Sequence, residues 1–159
     1  RLFKMANFNL DKQRGKVGEN LVKQYFISQG YEIKDTSEEQ LFQNDDIDFI
    51  VADSLTYEVK TDYMFSRTGN FALEDSYQNA HGIIKSWLWT SKADRFAFVN
   101  PKNLSKFVVI DADILRALVT LENLRVAYHD DYYKIIKLYL LPYSEYKELF
   151  EICELEGVS

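Results

Sequence analysis

The sequence predicts an α/β protein with a mixed central β-sheet flanked by helices. An amphipathic helical pattern near the start is followed by several short runs of β-branched and aromatic residues, which turn residues separate. At 159 residues, with 47% hydrophobic and 15% aromatic residues, the chain can bury a substantial core. We therefore expect a single folded domain over residues 1–159.

The first predicted element is a helix over residues 10–29. One face of this segment carries five apolar residues at helical spacing, namely Val17, Leu21, Val22, Tyr25 and Phe26. Gly30 follows directly, and a glycine just past the last apolar position is a common helix stop.

Most of the remaining elements are predicted strands, because their residues are mainly β-branched or aromatic and turn residues bound them. They span residues 31–36, 45–51, 57–60, 71–74, 96–99, 107–110 and 132–141. Pro142 ends the last strand, since proline cannot donate to a ladder. Helices are predicted over residues 114–121, capped by Asp111 or Asp113, and from Ser144 to Glu154.

Composition excludes several classes of protein. No apolar run reaches the roughly 18 residues of a transmembrane helix, so no membrane association is expected. The N-terminus lacks the pattern of a signal peptide. Cys153 is the only cysteine, which excludes an internal disulfide and a cysteine metal cluster and fits a reducing cytoplasm. No phosphate-binding GxxxxGK[ST] loop is present, so ATP use is not indicated.

The most informative segment runs from Asp45 to Lys60. In a strand, alternate residues share a face, so Asp46 and Asp48 lie on one face of the first strand, and Glu58 and Lys60 share a face of the second. Residues 52–56 suit a hairpin turn. Folding this hairpin would bring Asp48 beside Glu58 and Lys60.

Such an arrangement is typical of a magnesium-dependent phosphodiesterase. Two neighbouring carboxylates raise each other's pKa, and a divalent cation with oxygen ligands removes the conflict. Lys60 could orient or deprotonate the attacking water, or stabilise charge on the phosphate. The alternative interpretation of Asp48, Glu58 and Lys60 is an ordinary salt-bridged hairpin surface.

Glu19 lies on or beside the apolar stripe of the first helix, where an unpaired carboxylate is costly. An ion pair with Lys23, four residues on, would explain it without any function. With Asp48, Glu58 and Lys60 downstream, we favour a role for Glu19 near the metal or its water.

These residues resemble the motifs of the PD-(D/E)XK nuclease superfamily, which includes restriction-endonuclease-like and Holliday-junction-resolvase-like enzymes. The resemblance covers roughly residues 15–110 and is carried by Gly15-x-x-Gly18-Glu19, Gly30-Tyr31-Glu32-Ile33, Asp48 and Glu58-x-Lys60. The stretches 67–74 and 91–94 resemble a phage-type branch. The proline of the motif name is absent, which leaves Asp46 as a rival to Asp48.

The resemblance implies a restriction-endonuclease-like core and a Mg²⁺- or Mn²⁺-dependent endonuclease that hydrolyses DNA phosphodiesters. Asp48 and Glu58, with the backbone carbonyl of Val59, are the expected metal ligands, and Glu19 and Lys60 complete the catalytic set. The alternative is a catalytically inactive nucleic-acid-binding or inhibitory protein-binding module on the same fold. RNA remains an alternative substrate, and a homodimer is compatible with the sequence.

The charge distribution suggests where nucleic acid would lie. The net charge is −6, but residues 1–34 and 85–106 each carry +4, whereas residues 35–84 carry −9. The candidate phosphate-binding residues are Lys12, Arg14, Lys16, Lys85, Lys92 and Arg95. The alternative is that these are solvated faces. The aromatic residues Trp87, Trp89, Phe96 and Phe98 could stack on bases, but we expect them to pack in the core.

Overall fold

The computed structural model of the protein describes the backbone of residues 2–156 and the side chains of residues 12–156. Its helices are α1 (Leu2–Ser28), α2 (Gln40–Asn44), α3 (Phe65–Thr68), α4 (Trp87–Thr90), α5 (Ala112–Leu121) and α6 (Tyr143–Tyr146), with a 3₁₀ helix at Lys147–Leu149. Its strands are β1 (Ile33–Asp35), β2 (Phe49–Val51), β3 (Leu55–Thr61), β4 (Asn70–Asn79), β5 (Gly82–Lys85), β6 (Arg95–Val99), β7 (Lys106–Asp111), β8 (Arg125–Asp131), β9 (Lys134–Pro142) and β10 (Glu151–Glu154).

The strands form two sheets. A six-stranded sheet has the order β1-β2-β3-β6-β7-β10, and a four-stranded sheet has the order β5-β4-β9-β8. In the six-stranded sheet β3 and β6 run parallel and the other neighbours are antiparallel. The four-stranded sheet is antiparallel. The predicted α/β class, with a mixed central sheet flanked by helices, is confirmed.

Helix α1 covers one face of the six-stranded sheet. Its apolar stripe buries Leu21, Val22 and Phe26. The strands contribute alternate residues to the same core, namely Phe49, Val51, Tyr57, Val59, Ala97, Val99, Phe107 and Val109. Because side chains alternate along a strand, the residues between these point to the opposite face.

The opposite face packs against the four-stranded sheet and helices α4 and α5. This second core contains Phe71, Leu73, Trp87, Leu88, Phe96, Phe98, Val108, Ile110, Leu115 and Leu141, among others. The expectation that Trp87, Phe96 and Phe98 pack in the core is confirmed, since each is buried. Trp89 packs against the same cluster while partly buried.

The predicted hairpin joins β2 and β3. Ala52 and Asp53 both have positive φ, at 53° and 59°, and the Ser54 N–H donates to the Val51 carbonyl at 3.2 Å. These are the features of a type I′ turn, whose twist matches that of the flanking strands. Strand β2 begins only at Phe49, because Asp46 has a left-handed φ of 52° that an extended strand cannot contain.

Two sequence predictions near the C-terminus need correction. The predicted helix from Ser144 to Glu154 is wrong, since the chain leaves α6 at Tyr146 and forms β10 along the edge of β7. Burial of Phe150 and Cys153 in the two cores outweighs the local helix preference. The predicted strand over residues 132–141 begins later, because Tyr132 and Tyr133 form the turn between β8 and β9.

Within the described residues, none of the helices is long and apolar enough to cross a bilayer.

Candidate active site

Glu58 and Lys60 lie on the face of β3 turned away from α1. Glu58 is buried, with only 7% of its surface exposed. Lys60 Nζ lies 3.1 Å from Glu58 Oε1 and 4.6 Å from the centre of the Trp87 ring. A carboxylate and an aromatic face thus fix the lysine ammonium by charge and by cation–π attraction.

Asp48 lies beside this pair, as the hairpin predicted. Phe49 pairs with Tyr57, so the preceding residue is brought next to Glu58. The Asp48 N–H donates to the Tyr57 carbonyl at 2.8 Å, and Asp48 Oδ2 accepts the N–H of Val59 at 2.9 Å. The N–H and C=O of a strand residue project from the same edge. The Val59 carbonyl therefore points to the edge where Asp48 lies.

Asp48 is held in a strongly unfavourable environment for a charge. Burial raises the pKa of Asp48 to about 8, and the negative charges of Glu58 and Glu19 add to the rise. Burial also raises the pKa of Glu58, although Lys60 opposes it. The positive charge of Lys60 is therefore too small to neutralise both Asp48 and Glu58.

Lys60 stays charged in this setting. Burial disfavours its ammonium, but the carboxylates of Glu58, Asp46 and Asp48 outweigh burial and raise the pKa of Lys60. A lysine with a raised pKa is a donor of hydrogen bonds and positive charge at neutral pH. The geometry thus favours orientation of water or stabilisation of a phosphate over removal of a proton by Lys60.

Glu19 reaches the same site from α1. Its Oε2 lies 3.1 Å from Lys16 Nζ, and its charge raises the pKa values of both Asp48 and Glu58. Lys23, considered as its partner from the sequence, instead lies 3.7 Å from Asp35. The structure thus places Glu19 near the two acids, and its role near the metal or its water stays a prediction.

Gly18 sets how closely α1 approaches β3. A Cβ atom added at Gly18 would overlap the hydroxyl of Thr61 and touch Val59. The Thr61 hydroxyl is buried and, among the described residues, makes no hydrogen bond. The helix therefore rests on β3 at this glycine, and Glu19 is the next residue along.

Asp46 and Glu74 extend the acidic group. Burial raises the pKa of Asp46, and Glu74 and Asp45 add to the effect while Lys60 opposes it. Glu74 comes from β4 of the other sheet and accepts a hydrogen bond from the Ser86 hydroxyl at 2.8 Å. In the sequence, Glu74 appeared only as the last residue of the stretch 67–74 and was given no role, because Glu74 reaches the site through packing of the other sheet.

A cleft of about 500 Å³ opens beside this group. Its walls come from α1, β3, α4 and the four-stranded sheet, and include Arg14, Lys60, Tyr63, Glu74, Trp87 and Leu138. Asp62, at the end of β3, accepts the N–H groups of Met64, Phe65 and Ala72 at 3.0, 3.1 and 2.9 Å. Asp62 thereby fastens one end of the cleft to β4.

The candidate phosphate-binding residues do not form one surface. Lys12 is exposed on α1, Arg14 lines the cleft with its guanidinium 5.1 Å from the Tyr63 ring, and Lys16 pairs with Glu19 and Glu38. Lys85 lies 6.0 Å from the Trp89 ring on the edge strand β5, and Lys92 lies 3.3 Å from Asp45.

Arg95 is placed differently from the other five. It faces the α1 side of the sheet, where it binds Asp111 and the Tyr57 hydroxyl at 3.0 and 3.1 Å. Of these six residues Arg14 lines the cleft, whereas Arg95 lies on the opposite face of the sheet.

No three His, Cys, Asp or Glu side chains within the described residues converge closely enough to hold a metal ion by themselves. A cation at this site would therefore depend on a backbone carbonyl and water in addition to the carboxylates.

Comparison with known proteins identifies a solved structure with a similar fold. No protein-family model matches the sequence, and no curated protein matches it. Among solved structures, the fold is similar to that of the bacterial homing endonuclease I-Ssp6803I, with a TM-score of 0.52 and 16% sequence identity. The similarity covers 67% of this chain and 72% of that chain. Identity this low establishes likeness of fold and transfers no residue role.

Proposed function

We propose that this protein is an endonuclease that uses a divalent cation to hydrolyse phosphodiester bonds of DNA. The observation that carries the proposal is the convergence of Asp48, Glu58 and Lys60 beside one cleft. Two acids with too little positive charge around them, next to a fixed lysine, are suited to bind a cation and a phosphate together. The fold shared with a homing endonuclease supports the same class of activity.

Asp48, Glu58 and the carbonyl of Val59 are the residues we propose to hold Mg²⁺ or Mn²⁺. All three donors are oxygen atoms, which Mg²⁺ prefers, and Mg²⁺ usually takes one or two carboxylates and keeps several waters. The raised pKa of Asp48 supports the fit, because a cation would relieve the repulsion that causes it.

When bound, the cation supplies Lewis-acid stabilisation of the charge on the phosphate. Lys60, positioned by Glu58 and Trp87, orients the attacking water and stabilises the same developing charge. Glu19 holds the water from the α1 side. In the reaction the water oxygen bonds to phosphorus, the bond from phosphorus to the leaving oxygen breaks, and a proton passes to that oxygen.

We assign the chain to the PD-(D/E)XK nucleases on the order of these residues along the fold. An acid on the first helix, an acid at the start of β2 and Glu-x-Lys on β3 meet at one site, as the motif requires. The departure at Asp46, where the motif name has a proline, coincides with a left-handed backbone beside the site. Asp46 is therefore a neighbour of the metal ligands in this proposal, and Asp48 is the ligand.

The DNA backbone would enter along α1. Arg14 lines the cleft, and Lys12 is exposed two residues before it on the same helix. Phosphate contacts from such residues position a substrate without reading its sequence. We propose Lys12, Arg14 and Lys16 as the first backbone contacts, with Lys85 and Lys92 at the periphery.

The test combines metal binding and cleavage on the parent protein and Glu58→Gln. Magnesium or manganese should raise the unfolding temperature of the parent and start cleavage of plasmid DNA. Glu58→Gln should lose both responses while its metal-free far-UV circular dichroism stays unchanged. Stabilisation by the metal without cleavage of DNA or RNA would establish the inactive binding module instead. Absence of both responses in the parent would place any activity elsewhere.

A further inference from the structure

The outer edge of the four-stranded sheet is open. Strand β8 has β9 on one side and no strand on the other among the described residues. Six of its seven residues are exposed. An edge strand of this length offers unpaired N–H and C=O groups to another strand. Proline, the residue that most directly blocks such pairing, is absent from β8.

The sequence of β8 is complementary to itself when two copies run antiparallel. With a two-fold axis at Tyr128, Arg125 lies opposite Asp131 of the other copy, and Tyr128 lies opposite its own equivalent. Residues directly opposite in such a pair interact, and opposite charges there are favourable. In the described part of the chain neither Arg125 nor Asp131 is in an ion pair. This register pairs all seven residues of β8 and places one Arg125–Asp131 pair at each end of the interface.

Exposed apolar side chains share one face of the four-stranded sheet with polar ones, among them Gln78, Asp130 and Lys137. On one face of the sheet, the pairings place Ile83, Ile135, Tyr128 and Val126 within adjoining rows. Their exposures are 74%, 45%, 69% and 39%. Because directly opposite residues in an antiparallel pair share a face, Tyr128 of one copy would meet Tyr128 of the other, and Val126 would lie opposite Asp130 of the other copy.

A cavity lies at one end of β8 and an exposed turn at the other. A cavity of about 280 Å³ lies at the Arg125 end, lined by Asn123, Leu124 and Tyr146 among others. At the other end the β8–β9 turn carries Tyr132 and Tyr133, which are 78% and 70% exposed. Antiparallel pairing brings the turn of each copy to the cavity of the other.

We propose that β8 is the dimer interface of this protein and that its partner is a second copy of this chain. Two copies would form a continuous eight-stranded sheet with an isologous, two-fold interface. Ala72, Glu74 and Leu138, which line the cleft, lie on the face opposite Tyr128. A two-fold axis through Tyr128 and perpendicular to the sheet therefore opens both clefts on the same side.

The dimer has a consequence that rests on the proposed function. Five strand spacings separate the two copies of β4, which is about 24 Å at ~4.8 Å per spacing. Along duplex DNA this corresponds to roughly seven base pairs at ~3.4 Å each. Two clefts that open on the same side of the dimer suit cleavage of both strands of one duplex.

Sedimentation velocity, without metal or DNA, tests the interface independently of catalysis. The parent should sediment as a dimer at micromolar concentration. Arg125→Glu and Asp131→Arg should each weaken the dimer about tenfold or more, since each puts two like-charge pairs into the interface. The double variant restores both pairs and should return to a dimer. Lys85→Glu, on the opposite edge strand β5, is the matched control and should stay dimeric.

Cross-linking checks the register. Tyr128→Cys should form an intermolecular disulfide on mild oxidation, whereas His129→Cys should not, because residue 129 lies opposite residue 127 of the other copy and the two copies of residue 129 are about 7–8 Å apart. The native Cys153 is buried and leaves the background low. A monomeric parent, a monomeric double variant, dissociation by Lys85→Glu or equal cross-linking at residues 128 and 129 would overturn the proposal. Cleavage by a monomeric parent would leave the proposed nuclease activity standing.

Discussion

Two ion pairs occupy opposite faces of the same sheet and have opposite character. Lys60 binds Glu58 on the cleft side, and Arg95 binds Asp111 on the α1 side, at 3.1 and 3.0 Å. Each cation also contacts an aromatic residue, Trp87 for Lys60 and Tyr57 for Arg95. Distance and partner type alone therefore do not distinguish the pair at the proposed active site from the pair on the other face.

The two ion pairs differ in their surroundings. The Glu58 side chain is 9% exposed and the Asp111 side chain is 50% exposed. Asp46, Asp48 and Glu19 add negative charge around Glu58 and Lys60, whereas Arg95 balances a half-exposed carboxylate. A buried excess of carboxylates over cations is the property on which the proposed metal site rests.

The largest difference between the two pairs should appear in catalysis. Glu58→Gln and Lys60→Met remove a proposed metal ligand and the proposed phosphate-orienting charge, and each should slow plasmid cleavage by at least about 1000-fold, or about 4 kcal/mol. Arg95→Met, the matched change on the other face, should stay within a few-fold of the parent. Single-turnover rates under saturating Mg²⁺ measure this, and equal losses at Lys60 and Arg95 would contradict the assignment of the site.

Loss of the Asp48 charge should slow DNA cleavage more than loss of the Asp46 charge. The difference should be smaller than that between the two ion pairs. Asp48→Asn keeps the shape and removes the proposed ligand charge, so cleavage should be lost, whereas Asp46→Asn should retain measurable activity. Metal affinity measured by calorimetry on the same two variants should follow the same order. Loss confined to Asp46→Asn would make Asp46 the ligand.

The contact of α1 with β3 can be tested by two glycines of one helix. Gly18→Ala introduces a methyl group against the Thr61 hydroxyl and should lower the free energy of unfolding by about 1–3 kcal/mol. Gly15→Ala meets no atom within 4 Å and should raise stability by up to about 1 kcal/mol, because alanine is the better helix former. Urea denaturation of both variants measures these changes. Similar changes in the free energy of unfolding at the two positions would show that α1 does not rest on β3 at Gly18.

The free energy of unfolding of the metal-free protein should fall as pH rises, because of Asp48 on the cleft side. The folded-state pKa of Asp48, about 8, lies above its ordinary value near 3.8, so the folded state binds more protons between these pH values and stability decreases with pH. Asp48→Asn should flatten this slope, and the matched Asp111→Asn should not. Thermal melts with a chelator from pH 5 to 8 measure the effect, and a slope unchanged in Asp48→Asn would show that Asp48 is not the source.

The smallest expected effect concerns DNA affinity. Replacing Lys12, Arg14 and Lys16 together should lower the log–log dependence of affinity on salt by about 0.9 for each lost phosphate contact. Replacing Arg95 should leave that dependence unchanged, since it faces away from the cleft. Fluorescence anisotropy with Ca²⁺ in place of Mg²⁺ measures binding without turnover, and an unchanged slope in the triple variant would place the backbone contacts elsewhere.

Several features of this protein were predictable from sequence because they depend on local periodicity. Helical spacing and Gly30 defined the end of α1, and strand alternation put Glu58 and Lys60 on one face. The residues of the β2–β3 hairpin placed Asp48 next to that pair, since a short turn leaves little choice of register. These predictions needed no knowledge of what packs on the sheet.

Other features depended on contacts between distant segments. Glu74 reaches the site from another sheet, and Lys16 rather than Lys23 pairs with Glu19. Arg95 lies on the face opposite the site because the register of β6 against β3 pairs it with Tyr57. The terminal segment becomes β10 because the edge of β7 offers hydrogen bonds and buries Cys153. Local sequence determined which residues could share a face. Only the tertiary structure decided which faces meet, because burial and long-range pairing outweigh propensities of a few tenths of a kcal/mol per residue.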